Sequence, residues 1–134
     1  MTAAFRIGRA LVACAALLAL AAPSFVSAHH STANFDMAKS GTFTGTVTYF
    51  SFTNPHSFFD VDVVGKGGVV QHYKVFTVAR VVMLRNEWLA GDLKVGDKVT
   101  VTGNPDRKDP SYVYLRKIVF ASGKAWDQDR IFGS

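Results

Sequence analysis

The sequence predicts a small all-β domain with one helix. Apolar and polar residues alternate with a period of two in five separate runs, which is typical of half-buried strands. Turn-forming residues separate the runs, and one stretch between the third and fourth runs has apolar residues at helical spacing. This order matches a five-stranded OB-like Greek-key barrel with the helix between strands 3 and 4. The alternative is a small open β-sandwich.

The first strand begins at Thr42, where apolar residues start to alternate with threonines. The alternation slips near residues 50–52, which indicates a bulge or a strong bend. The Asn54-Pro55 pair then ends the strand in a turn.

The remaining elements are bounded by glycine or proline. They are a second strand over 57–64, a hairpin connection over 65–68, a third strand over 69–76, a helix over 78–89, a fourth strand over 98–102, a loop over 103–110 and a fifth strand over 112–119.

Residues 1–28 have the features of a secretory signal peptide. Arg6 and Arg9 precede an apolar run over 10–22, and small residues lead to a cut after Ala28. We therefore expect a periplasmic protein. The expected organisation is a cleaved signal (1–28), an N-terminal extension (29–41), a barrel domain (42–126) and a frayed tail (127–134).

Charge and composition limit the function classes. The whole chain carries +5, but Arg6 and Arg9 lie in the signal, so residues 29–134 carry +3. From this small excess and from export we expect no nucleic-acid partner, and no membrane span once the signal is removed.

The single cysteine, Cys14, leaves with the signal, so no disulfide or thiolate site is expected. We find no phosphate loop, HExxH motif or nucleophile elbow, and we predict no catalytic activity.

The histidines point to a metal. A cut after Ala28 makes His29 the first residue, where its α-amine and Nδ1 can bind one ion together. His56 lies in the loop between strands 1 and 2, which belongs to the binding edge of an OB barrel. Together they offer three nitrogens, a set that suits copper. His30 could replace either histidine, and Asp36 is a possible further ligand. The alternative is a solvated tail and a turn histidine.

The length of the first strand sets a geometric condition on this copper site. Its ten or so residues separate the extension from the His56 loop by about 33 Å. The extension must therefore run back along the barrel to bring His29 to His56. Otherwise His29 meets His56 of a neighbouring chain, or neither.

A second hypothesis is a non-metal binding module for a peptide, a glycan or a partner protein. Aromatic residues flank the predicted edge loop, and aromatic faces stack on bases or sugars. In the alternative interpretation, every other aromatic residue belongs to the core. The residues proposed for this edge are Asn54, Phe50, Phe52, Phe58, Arg107 and Lys108. An oxidative copper enzyme is a third hypothesis, although a small convex barrel offers little substrate cleft.

Several short motifs resemble a known family. The chain carries Ala28-His29-His30-Ser31, Phe35-Asp36, Gly45-Thr46-Val47, Asn54-Pro55-His56-Ser57 and Gly96-Asp97-Lys98-Val99-Thr100-Val101-Thr102-Gly103. This set resembles small exported proteins of Gram-negative bacteria classed as domain of unknown function 6152. The resemblance implies an exported OB-like barrel and no established activity. The third strand of that family often carries a Trp and a Glu, which residues 71–76 lack here.

Overall fold

The computed structural model describes residues 32–133, which form a small closed barrel. The predicted signal segment, His29 and His30 lie outside the described residues. The strands are β1 (Gly41–Ser51), β2 (Phe58–Val64), β3 (Val70–Phe76), β4 (Lys98–Pro105), β5 (Tyr112–Val119) and β6 (Ala125–Asp127). The helices are α1 (Arg80–Arg85) and α2 (Gln128–Phe132), and Lys66–Gly68 form one 3-10 turn.

The sheet order is β3-β2-β1-β4-β5-β6, and β3 also pairs with β5. All neighbouring pairs are antiparallel except β3 and β5, which run parallel where Lys74–Phe76 meet Tyr112–Tyr114. This last pairing closes the barrel and brings the end of β3 beside the start of β5. The predicted five-stranded OB-like barrel is confirmed, and β6 adds a short sixth strand that pairs with β5.

Two glycines permit the strands to approach closely. A Cβ atom on Gly45 would overlap the carbonyl oxygen of Asp62, and one on Gly103 would overlap the carbonyl oxygen of Tyr114. Because only glycine lacks that atom, both positions let the sheet coil tightly enough to close.

The core consists of the inward-facing side chains of the strands and an aromatic cluster around Trp88. Trp88 is fully buried and packs edge-on against Phe59, Phe120 and Trp126. The other core residues are mostly β-branched residues and leucines at the inward-facing positions of the strands. They include Val47, Val61, Val75, Val99, Val101, Leu115 and Ile118.

The helix after β3 has six residues, half the length predicted for 78–89. Asn86 donates its backbone N–H to Met83 O, and Glu87 takes a positive φ of 67°. A left-handed residue cannot continue a helix. The chain therefore turns at Glu87 and directs Trp88 into the core.

Two further expectations differ from the structure. The register slips between Val47 and Tyr49, slightly earlier than the predicted bulge at 50–52. Residues 128–132, expected to fray, form α2 because Asp127 accepts the Asp129 N–H at 3.0 Å and caps its first turn. Gln128 is also buried and donates to the Tyr114 hydroxyl at 2.7 Å.

Candidate functional site

A pocket of about 310 Å³ lies at the end of the barrel where the β1–β2 and β4–β5 loops meet. The extension, both loops and the adjoining ends of β2, β3 and β5 form its wall. The lining residues are Asn34, Phe35, His56, Phe58, Phe76, Thr77, Asp106, Tyr112 and Tyr114. The loops that the sequence assigned to the binding edge therefore meet at one concave site.

The N-terminal extension is fixed to the β4–β5 loop. Phe35 pairs with Asp106 in an isolated antiparallel bridge. Asp36 N donates to Pro105 O at 2.8 Å, and Arg107 N donates to Asn34 O at 3.0 Å. These bonds hold the segment against the loop like a short extra strand.

The Phe35 side chain anchors the same segment. It is only 7% exposed, and its ring lies 6.0 Å from that of Phe76 and 5.5 Å from that of Tyr114. The extension is thus fixed beside the β4–β5 loop, and the closed barrel brings that loop to the His56 loop. Asn34 and His56 line one pocket as a result.

Hydrogen bonds within the β1–β2 loop position His56. The Ser57 hydroxyl donates to Thr53 O at 3.0 Å, and the Thr53 hydroxyl donates to His56 O at 3.1 Å. Ser57 is buried, whereas His56 is exposed. The backbone is thereby held while the imidazole stays open to solvent and to the pocket.

The pocket wall is largely aromatic. Phe76 is its centre, because its ring lies 6.2 Å from that of Phe58 and stacks at 5.7 Å on that of Tyr112. Lys74 Nζ lies over the Phe58 ring, 4.8 Å from the ring centroid. Such a wall offers flat π faces to a ligand.

Three polar groups accompany the aromatic wall. The Thr77 hydroxyl oxygen is buried and has no hydrogen-bond partner among the described residues. Asp106 Oδ1 accepts the backbone N–H groups of Lys108 at 2.7 Å and Asp109 at 3.1 Å. Burial raises the pKa of Tyr114, and its hydrogen bond from Gln128 opposes that rise only in part.

Some residues proposed for the binding edge lie elsewhere. Phe50 and Phe52 pack against the core, with Phe50 stacked at 6.3 Å on Trp88, and neither lines the pocket. Asn54 is used structurally, since its Oδ1 accepts Val81 N at 3.3 Å. Among the predicted aromatic residues only Phe58 reaches the pocket.

The charged residues predicted for the site lie outside the pocket wall. Arg107 and Lys108 are exposed on the β4–β5 loop. Asp36 lies outside the pocket wall and pairs with Lys39 at 3.1 Å, and this hydrogen-bonded ion pair lowers the pKa of Asp36. Asp106, rather than Asp36, is the carboxylate that lines the pocket with His56.

Sequence reasoning missed Phe35, Phe76, Tyr112 and Tyr114 as wall residues. A signal was present for two of them. Tyr112 and Tyr114 alternate with core residues on β5, so both face away from the core side of that strand. The place of Phe35 depends on a distant pairing that no local pattern reveals.

The described residues do not complete a metal site by themselves. Within 32–133, no group of three or more His, Cys, Asp and Glu side chains could hold a metal ion. His72 lies on the exposed face of β3, where its Nδ1 is 2.6 Å from Asp62. Of the predicted copper ligands, the structure describes His56 and the possible ligand Asp36.

These features define a small OB-like barrel with one aromatic pocket between its edge loops. The chain belongs to a family of unknown function (DUF6152), whose sequence profile matches residues 15–112. No curated protein matches the chain.

Solved structures of similar fold come from several organisms. The mitochondrial single-stranded DNA binding protein Rim1 of S. cerevisiae is 11% identical with a TM-score of 0.49, over 61% of this chain and 92% of that one. The N-terminal domain of PriB from Thermoanaerobacter tencongensis is 20% identical with a TM-score of 0.47, over 62% and 96%. A small single-stranded DNA-binding protein of Streptomyces coelicolor is 20% identical with a TM-score of 0.45, over 60% and 88%.

One expectation about partners is corrected by these likenesses. We predicted no nucleic-acid partner, and that prediction is wrong because similar barrels are named for binding single-stranded DNA. Binding to single strands depends on local stacking and local positive charge, so a net charge of +3 does not exclude it.

Across residues 32–133, no helix is long and apolar enough to cross a membrane.

Proposed function

We propose that the protein is an exported, periplasmic OB-like binding protein that holds a copper ion. The ligands in this proposal are the α-amine and Nδ1 of His29 and the imidazole of His56. His30 is the substitute for either histidine. The signal segment 1–28 supplies both the export and the free amine at His29.

One observation carries the proposal: Asn34 and His56 line the same pocket. His29 precedes Asn34 by five residues, a reach of up to about 17 Å in extended chain. The separation of about 33 Å along β1 is thus no obstacle, because the closed barrel brings the His56 loop to the β4–β5 loop, with which the extension pairs. A single chain can bring the three nitrogens together, and no neighbouring copy is needed.

The chemistry of the surroundings also fits. His56 is exposed, so a metal can reach its ring without displacing core side chains. Asp106 lies in the same wall and can act as a hydrogen-bond partner of a bound imidazole, an arrangement common around metal-ligating histidines.

The experiment begins with protein recovered from the periplasm, whose intact mass must start at His29. Titration with Cu(II), followed by electron spin resonance, should give one tight site with nitrogen hyperfine structure. His56→Ala should weaken it at least about 100-fold, since losing even a second-sphere partner costs 10–100-fold. One additional residue before His29 should also weaken it.

The matched control is His72→Ala. That side chain is 77% exposed and lies on β3 beside Asp62, away from the pocket wall. Its loss should leave copper affinity unchanged. Equal affinity of the wild type and the His56→Ala variant would exclude the proposal.

The second candidate is the non-metal binding module. The aromatic wall of the pocket favours it, although the residues that form this wall are not the edge residues first proposed. In this case His56→Ala and a blocked His29 amine would have little effect. Phe58→Ala should impair binding of the partner, whereas Phe52→Ala should not.

A further inference from the structure

We infer that the tip of the β2–β3 hairpin, residues 64–70, inserts into the surface of a phospholipid bilayer. The contact is shallow and peripheral, with valine side chains just below the headgroups and Lys66 at the lipid phosphates. This inference concerns the described residues alone and does not depend on copper binding.

The hairpin tip is an exposed apolar feature of the barrel. Val64 is 71% exposed, Val69 65% and Val70 43%, and every residue from 64 to 72 is exposed. Burying valine side chains is favourable, and these three leave much of their surface in water. Apolar side chains clustered in this way on a protruding turn are typical of a surface that meets a partner or a membrane.

The valines lie on both faces of the hairpin, which favours a bilayer over a protein partner. Val64 and Val70 are directly paired across the two strands, so their side chains share one face. Val69 precedes Val70 in the chain and therefore points to the opposite face. A protein that packs on one face would leave the other in water, whereas a bilayer surrounds both faces of an inserted tip.

The charge of the tip also suits phospholipid headgroups. Lys66 is the only residue with a side chain in the turn over 65–68, which is otherwise glycine. It makes no ion pair with any residue in the described part of the chain, and residues 63–71 contain no carboxylate. A lysine in this position can bury its aliphatic stem beside the valines while its ammonium group reaches a phosphate.

The charged residues behind the tip set the depth of insertion. Asp62 pairs with His72 at 2.6 Å, and Asp60 pairs with Lys74 at 3.9 Å further from the turn. The Asp62–His72 pair lies two residues behind the paired valines, or about 7 Å along the strands. Charged groups stay hydrated, so insertion stops at this pair, and the resulting depth matches the 5–10 Å typical of interfacial segments.

Vesicle sedimentation tests the inference on the whole mature chain in the presence of EDTA. Vesicles of phosphatidylethanolamine and phosphatidylglycerol should carry down the wild-type protein in proportion to the lipid added. The double variant Val64→Thr and Val69→Thr should bind at least about tenfold more weakly, because two apolar groups become hydroxyls while strand propensity is kept. Lys66→Gln should weaken binding about fivefold by removing the one cation at the anionic surface.

Val95 supplies the matched control. It is 66% exposed on the turn before β4, so Val95→Thr makes the same change at similar exposure and should leave vesicle binding unchanged. A tryptophan reporter gives a second measurement. Val69→Trp emission should shift to shorter wavelength with vesicles and be quenched by brominated lipid, whereas Val95→Trp emission should not. The native Trp88 and Trp126 are buried and contribute a constant background.

Three results would overturn the inference. They are a wild-type protein that does not sediment with vesicles, full vesicle binding by the double threonine variant, and an equal loss of binding by Val95→Thr. Self-association that the double variant abolishes, without any vesicle binding, would assign the tip to a second copy of the chain instead. Because EDTA removes copper, failure here is separate from failure of the copper site.

Discussion

Phe35→Ala is the substitution that most sharply tests how the N-terminal extension is held. The side chain packs between Phe76 and Tyr114, and no other residue of the described part of the extension, 32–41, has an aromatic ring. Its removal should free the segment from the β4–β5 loop and leave the rest of the barrel folded.

The size of the effect follows from burial. A buried phenylalanine covers 150–250 Å², or roughly 4–6 kcal/mol at about 25 cal/mol per Å². Measured Phe→Ala changes in cores cost about 3–5 kcal/mol. Phe35 borders a pocket that water can enter, so we expect the lower end, a loss of about 3 kcal/mol in the free energy of unfolding.

Thermal and urea unfolding followed by circular dichroism measure this change. For a domain of this size each kcal/mol shifts the Tm by about 4–8 °C, so the Tm should fall by at least about 12 °C. Met37→Ala is the control, since Met37 is 45% exposed in the same segment and should change stability by less than about 0.5 kcal/mol. If Phe35→Ala is as stable as Met37→Ala, the extension is not anchored as described and the copper proposal loses its support.

Two other predictions concern the barrel. Gly103→Ala should cost about 3 kcal/mol in urea unfolding, because its Cβ would overlap the Tyr114 carbonyl oxygen, whereas Gly41→Ala, with open space around it, should be nearly neutral. Burial raises the folded-state pKa of Tyr114 above 10.0, so its contribution to stability is complete below that pH and is lost as pH rises through the raised value. Comparing wild type with Tyr114→Phe at about pH 9 and about pH 11 should show the larger loss in wild type, and equal losses would contradict this assignment.

The strands could be predicted from sequence because period-two alternation and turn residues are local signals. All five predicted strands are present, and β4 continues past its predicted end at residue 102 to Pro105. The end of α1 could not be predicted in this way. It depends on Glu87 taking a positive φ while Trp88 enters the core, and both depend on tertiary packing.

The position of the site on the barrel could be predicted from the sequence, but most of the residues that line it could not. Topology assigned His56 and the β4–β5 loop to one end of the barrel, and the structure brings them to one pocket. Phe50 was assigned to the binding edge, but the register shift between Val47 and Tyr49 alters which face each later residue occupies. Phe50 consequently packs on Trp88, and the pocket wall comes from β3, β5 and the extension instead.

The most direct test of the central claim is paramagnetic NMR of the chain that starts at His29, with a substoichiometric amount of Cu(II). If the extension brings His29 to His56, the amide signals of Asn34, His56 and Asp106 should broaden together, while those of the distant hairpin turn at Lys66 stay sharp. Broadening confined to the first residues of the extension, with the His56 and Asp106 signals unchanged, would contradict a copper site shared between the N-terminus and the loop.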